Sequence, residues 1–317
     1  MEAYFDNAAT TKVFPEVKDL VVKLMEEDYG NPSSLHQKGL DAGHYIKETK
    51  EILAKEWKVD SKEIVLTSGG TESNNLALIG AALANKRSGN RIITSKVEHA
   101  SVSSTMAFLE SLGFEVVYLN VDHQGIVDLE QLEQEVNEDT ILVSVMYVNN
   151  EIGAVEPIQE IAEIIKEKNP KTLFHVDAIQ AFGKYHIYPK RMGIDLMSVS
   201  GHKIHGPKGT GALFIKNRTK VKPIIYGGGQ QDGMRSGTEN VPGFAGFGLA
   251  TKIVYEDLEA RIVRMRAVKD RLTERLKTLP DVYINEGEAP HILSVSFVGV
   301  RSEVMLHALE EREIYVS

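Results

Sequence analysis

The chain has 317 residues, with 36 Lys and Arg against 45 Asp and Glu, a formal net charge of -9 and no cysteine. That length fits one large α/β domain or two ordinary ones, and 42% hydrophobic residues are enough for a sizeable core, so a wholly disordered chain is excluded. The acidic balance argues against a nucleic-acid partner and the lack of any apolar run near ~18 residues argues against a membrane span, while the missing cysteines exclude disulfides, thiolate metal sites and a cysteine nucleophile within these residues.

The amino terminus, MEAYFDNAATT, has neither the basic region nor the apolar stretch of a signal peptide, so the expectation is a cytoplasmic protein. Seven short segments then read as strands, being rich in Val, Ile and aromatics: EIVLTS (63–68), RIITSK (91–96), FEVVYL (114–119), TILVSVMYV (140–148), TLFHVDA (172–178), DLMSVS (195–200) and GALFIK (211–216). Between most of them lie helical patterns such as TESNNLALIGAALAN and PIQEIAEIIKEKN. The alternation predicts an α/β fold with a mainly parallel seven-stranded sheet and helices on both faces. Ligands in such sheets sit at the carboxyl ends of the strands. Farther on, Leu258, Ile262, Met265, Leu272 and Leu276 are spaced as one buried stripe of a long helix over 255–279, closed by Pro280. VYINEG, HILSVSF and EVMLHALEER then begin a smaller α+β unit. We divide the chain into a large cofactor-binding domain over 15–255 and a smaller domain made of 1–14 and 256–317.

The residues able to do chemistry follow the strands. After EIVLTS come Gly69, Gly70 and Thr71 and then a helix, a turn whose free N–H groups suit a phosphate. The turn matches neither GxxxxGK[ST] nor GxGxxG, which argues against ATP, GTP and dinucleotides. FHVD ends in Asp177, with Gln180 shortly after it, and DLMSVS ends in Ser200, Gly201, His202 and Lys203. Taken singly, Asp177 reads as a turn or cap residue and Lys203 as a solvated charge. Together they are what a pyridoxal phosphate site requires: a desolvated lysine amine that attacks an aldehyde, and a carboxylate that keeps a ring nitrogen protonated. His99, after RIITSK, is a structural hydrogen-bonder or an imidazole that stacks on a ring and moves protons. Asn150, in Asn149–Gly153, reads as turn chemistry or as a neutral donor to a ligand.

The motifs YFDNAATT, TSGGTESNN, EHASV, VNNEIG, HVDAIQ, SGHKIHGPKGTGALF, YGGGQQDGMRSGTEN and ILSVSF, in that order, closely resemble those of the NifS/IscS-like cysteine desulfurases, fold type I pyridoxal phosphate enzymes of aminotransferase class V. The resemblance implies pyridoxal 5'-phosphate as cofactor and L-cysteine as substrate, with alanine and a persulfide for iron–sulfur or thiolation pathways as products. It implies that Lys203 bonds the cofactor and moves the Cα proton, that Asp177 partners the ring nitrogen, that Gln180 donates to the ring hydroxyl and that His99 stacks on the ring as acid and base. It also implies a phosphate cup of Gly70, Thr71, Ser200 and His202, an Asn150 beside cofactor and substrate, and a Thr238 that reaches the phosphate of a neighbouring subunit. A homodimer with shared sites and a sulfur-acceptor or scaffold partner follow from the same resemblance.

In that family the sulfur-accepting cysteine and the arginine that holds the substrate carboxylate come after the segment resembling EREIYVS, with which this sequence closes at Ser317. We therefore expect the sequence to be a portion of a longer desulfurase with an incomplete smaller domain. The competing expectations are a missing piece supplied by another chain and a noncatalytic scaffold. Among enzymes, a selenocysteine lyase or another β-eliminating lyase is the alternative.

Overall fold

The computed structural model describes residues 2–285 and 287–317. In chain order the elements begin with β1 (Ala3–Tyr4), α1 (Pro15–Glu26), α2 (Gln37–Trp57), β2 (Ile64–Thr67), α3 (Gly70–Asn85), β3 (Arg91–Ser95), α4 (Ala100–Ser111) and β4 (Glu115–Leu119). They continue with α5 (Leu129–Glu135), β5 (Thr140–Met146), α6 (Ile158–Lys168), β6 (Leu173–Asp177), β7 (Leu196–Ser200) and β8 (Gly211–Ile215). The chain closes with α7 (Val241–Glu256), α8 (Leu258–Leu276), β9 (Val282–Asn285), β10 (Ser294–Phe297), α9 (Ser302–Glu310) and β11 (Ile314–Tyr315).

Seven strands form the central sheet in the order β2-β8-β7-β6-β5-β3-β4, all parallel except β8, which runs against both of its neighbours. Alternation along the strands divides the core in two. Leu142, Leu196 and Leu213 face a cluster built with α3 and α4, while Val143, Met197 and Phe214, one residue on, face the cluster that includes α1, α2, α6 and α7. Helices therefore cover both faces, as the sequence predicts. Within α6, Ile158, Ile161, Ala162 and Ile165 keep one face in the core, spaced by three and four residues as a helix requires.

Two readings of the carboxyl-terminal third change. The expected helix over 255–279 is broken at Asp257 (φ -130°, ψ 28°), which leaves α7 to end at Glu256 and α8 to begin at Leu258. Its apolar stripe is covered only in part: Leu258 is buried, whereas Ile262, Met265, Leu272 and Leu276 are half-buried. Within HILSVSF, β10 begins at Ser294. Ahead of it the chain docks on the turn after β5, where Ala289 N–H donates to Gly153 O at 2.9 Å, and Ala289 and Ile292 are buried in the larger core cluster. The amino terminus joins this region, β1 pairing in parallel with β11 through Ala3–Ile314 and Tyr4–Tyr315.

Candidate active site

The carboxyl ends of β2, β3, β5, β6 and β7 open on one edge of the sheet, and the singled-out residues gather there. At the end of β7 the chain makes a short helical turn over Gly201–Lys203. The amino-terminal segment lies across that turn, with Thr11 N–H and Thr11 Oγ1 both donating to His202 O at 3.0 and 2.7 Å and His205 N–H donating to Thr11 Oγ1 at 2.7 Å. This is why DNAATT, remote in sequence, belongs to the site. Lys203 Nζ donates to Ala8 O, and Gln180 Nε2 donates to the same carbonyl at 2.9 Å. Burial moves the Lys203 amine below its usual pKa, against the opposing pull of Asp177 and Asp6, so more of it is the nucleophilic neutral amine at neutral pH. Lys184, which is buried, donates to Lys203 O at 2.7 Å, and burial together with the Lys203 charge brings its amine down to about 7.

Asp177 closes β6 and is almost wholly buried. Its Oδ1 accepts from Ile179 N–H at 3.0 Å and its Oδ2 from Asn74 Nδ2 at 2.8 Å. Burial raises its carboxyl above the ordinary range, while these hydrogen bonds and the nearby His99 and Lys203 favour the charged form. A protonated heteroaromatic nitrogen is a partner that would suit such a carboxylate. Asn74 also donates to Ser101 Oγ at 2.9 Å, and Ser101 Oγ is 2.8 Å from His99 Nδ1, so one hydrogen-bonded chain runs from Asp177 to His99. His99 caps α4, its ring accepting from Ser101 N–H at 3.1 Å. Beside it Glu98 accepts from Ser95 Oγ and Met146 N–H at 2.7 and 2.9 Å, and burial followed by the Asp177 and Glu156 charges pushes its carboxyl up to about 8. Burial thus biases the acid next to His99 toward its neutral form.

A cleft of about 380 Å³ lies between the start of α3 and the turn after β7, lined among others by Gly70, Thr71, Ser200 and His202, the four residues expected to cup a phosphate. Thr10, Glu72 and Lys208 line it as well. Gly69 enters α3 at φ 148°, a conformation open to glycine, and a Cβ on Gly70 would stand 2.1 Å from Ile179 Cδ1. The first N–H groups of α3 have no partner within the helix and face an anion-sized space. Ser200 Oγ is buried with no hydrogen-bond partner among the described residues. His202 Nδ1 is 3.1 Å from Thr10 Oγ1, and burial followed by the charges of Lys203, Lys208 and Lys184 lowers its imidazole to about 4. A neutral His202, accepting the Thr10 proton at Nδ1, presents Nε2–H as a donor. Orphaned hydroxyl, helix start and donor imidazole together fit a phosphate ester.

Two of the expected site residues stand apart. Asn150 Nδ2 donates to Glu151 Oε1 at 2.7 Å, and no hydrogen bond among the described residues ties it to the cluster. Thr238 is exposed on the loop before α7 and does not line the cleft. That loop is tied to the cleft by Arg235, which grips Glu72 through Nε at 2.8 Å and Nη2 at 3.2 Å. Sequence reasoning did not assign Asn74, Ser101 or Lys184 to the site. TSGGTESNN and EHASV contained the first two, yet only the fold brings Asn74 against Asp177.

A profile for the class-V aminotransferases matches residues 3–317. The chain belongs to this family. Within it, the cysteine desulfurase IscS of Dictyoglomus turgidum is 43% identical over 320 residues, covering all of this chain and 81% of the relative. That of Methanosarcina thermophila is 42% identical over 317 residues, covering 99% of this chain and 78% of the relative. Among solved structures, a NifS-like protein superimposes with a TM-score of 0.98 at 41% identity, over all of this chain and 87% of that one. SspA in complex with cysteine superimposes with a TM-score of 0.85 at 33% identity, over 99% of this chain and 88% of that one. The resemblance read from the motifs is thus the family of the chain, a NifS/IscS-like cysteine desulfurase.

Proposed function

We propose that the chain is a pyridoxal phosphate-dependent cysteine desulfurase that acts on L-cysteine through Lys203, Asp177, Gln180 and His99. The observation that carries this reading is the convergence of the Lys203 amine and the Gln180 amide on Ala8 O, within the field of the buried Asp177 carboxylate. Bound pyridoxal phosphate supplies an aldehyde that condenses with amines and a ring that draws electron density from the Cα of an amino acid. Lys203 would hold the cofactor and serve as the base for the Cα proton, and burial, by lowering its basicity, favours the neutral amine that both roles need. Asp177, oriented by Asn74 and Ile179, would keep a proton on the ring nitrogen. Gln180 would donate to the ring oxygen, and Gly70, Thr71, Ser200 and His202 would hold the phosphate. His99, its ring fixed by Ser101, would lie against the cofactor and act as acid and base.

These 317 residues contain no thiol, so the sulfur acceptor in this reading is a cysteine outside them. In this reading Thr238, exposed on the loop that the Arg235–Glu72 pair tethers, reaches the phosphate of a second copy in a homodimer with shared sites. Asn150 takes a place beside the substrate. The division into 15–255 and a smaller unit of 1–14 with 256–317 draws support from the β1–β11 pairing. No described helix is long and apolar enough to cross a membrane, and a cytoplasmic location with a protein sulfur acceptor completes the proposal. Neither selenocysteine lyase nor a noncatalytic scaffold has a counterpart among the relatives named above. The test is the near-visible absorbance of purified protein given pyridoxal phosphate. The wild type should show the band of a lysine-bound cofactor and Lys203→Ala should lose it, whereas a wild type without the band refutes the reading.

A further inference from the structure

The segment before β10 is pinned from several sides. Ala289 N–H donates to Gly153 O at 2.9 Å, and Lys269 Nζ donates to the carbonyls of Gly287 and of Ala289, the latter at 2.8 Å. At Gly287 a Cβ would fall 1.9 Å from Ile152 O, so only glycine allows the two backbones to approach. Ile292 packs over Gly153, whose own Cβ would lie 3.1 Å from Ile292 Cβ. His291 is thereby held against Gln180, its Nε2 3.2 Å from Gln180 Oε1.

The hydrogen bonds define which atom donates. Ala8 O can only accept, so the Gln180 amide must turn its nitrogen to Ala8 and its oxygen to His291. His291 must then donate from Nε2. Its Nδ1 is buried and has no partner among the described residues, which suits a bare lone pair and not a second N–H. Burial and the neighbouring charges of Lys184, Lys269 and Lys203 hold the imidazole well below its ordinary pKa and keep it neutral. The amide of Gln180 is left with one further N–H.

We propose that His291 is a positioning residue: by donating to Gln180 Oε1 it fixes the amide so that the remaining Gln180 N–H is aimed at the ring oxygen of the cofactor. This rests on the reading above that the crevice takes pyridoxal phosphate. It links the seating of the segment over 287–292, from the smaller unit, to the charge on the cofactor ring. Without the donor, the amide oxygen is unanchored in a buried place and the N–H spends less time on its target.

The experiment uses the full chain loaded with pyridoxal phosphate, the variants H291L, H291N and Q180A, and the double variant of H291L with Q180A. In H291L, Lys203 still takes the cofactor, but the position of the absorbance band changes and the affinity falls by between about two- and twelvefold, the range of one neutral hydrogen bond. H291N, which keeps an N–H donor, moves both back toward wild type. In the Q180A background H291L adds no further change. If H291L does not fold, the isosteric pair H291N and H291D carries the same comparison, donor against acceptor. A wild-type spectrum and affinity in the non-donor variant overturn the proposal, as does an H291L effect that is undiminished in Q180A. A wild type that takes up no pyridoxal phosphate refutes the functional reading itself.

Discussion

Replacing Asn74 with alanine should cost the site more than any other change to a residue outside the expected set. Asn74 is wholly buried and gives Asp177 Oδ2 its hydrogen bond at 2.8 Å, while Oδ1 has Ile179 N–H at 3.0 Å. With alanine, Oδ2 keeps no donor, and burial drives the Asp177 carboxyl further toward its neutral form. A neutral Asp177 cannot pair with a protonated ring nitrogen. A hydrogen bond to a charged group is worth ~1.5–3 kcal/mol, equivalent to an affinity loss of about 10- to 150-fold. Titration of apoprotein with pyridoxal phosphate, followed by absorbance, reads this directly, and a thermal melt on the same sample separates it from general destabilisation. Asn74→Asp, which sets a second carboxylate beside Asp177, should lose at least as much. An Asn74→Ala protein that binds within twofold of wild type would refute the role assigned to the Asp177–Asn74 contact.

Three further outcomes follow from the geometry. His175, fully buried between Ser144 Oγ at 2.8 Å and Ser198 Oγ at 3.0 Å, is held by burial at a pKa of about 3. The folded state therefore stays neutral there while the unfolded chain takes a proton below pH ~6.5, so this contribution is full above that pH and fades as pH falls toward 3, a loss of about 3 kcal/mol by pH 4; His175→Gln should flatten the acid limb of the stability curve, and equal limbs would count against it. Gly70→Ala puts a Cβ 2.1 Å from Ile179 Cδ1, an overpacking cost of ~1–3 kcal/mol that a thermal melt reads and that Ile179→Ala should largely relieve. Arg235→Gln leaves Glu72, whose charge Arg235 and Ser68 sustain against burial, unbalanced in the phosphate cleft; affinity for pyridoxal phosphate should fall by roughly tenfold while that for pyridoxal is unchanged, and equal losses for both would contradict it.

The sheet and most of the site were legible in the sequence for one reason: in a parallel α/β sheet the reactive residues follow the strands, and β2, β6 and β7 are short apolar runs that end in Gly69–Thr71, Asp177 and Ser200–Lys203. The motifs then supplied the assignment. What escaped is what only three dimensions create. Asn74 reads as a polar position in the first turns of α3, and its partner Asp177 lies 103 residues away. His291 carries no signal in the sequence either: it precedes the short apolar run of β10, and only the docking of Ala289 on Gly153 and the contact with Gln180, 111 residues away, bring it to the site. The apolar spacing of α8 was read as a covered stripe, but periodicity reports which side of a helix is apolar and not how much of it is covered.

The central claim, that Lys203 is the residue that holds pyridoxal phosphate, is tested most directly by borohydride reduction of the loaded protein followed by mass spectrometry of its peptides. The expected result is one pyridoxyl phosphate addition, on the peptide containing Lys203. Label on the peptide of Lys184 or Lys208 instead, or no label in a protein that has retained its fold, would contradict it.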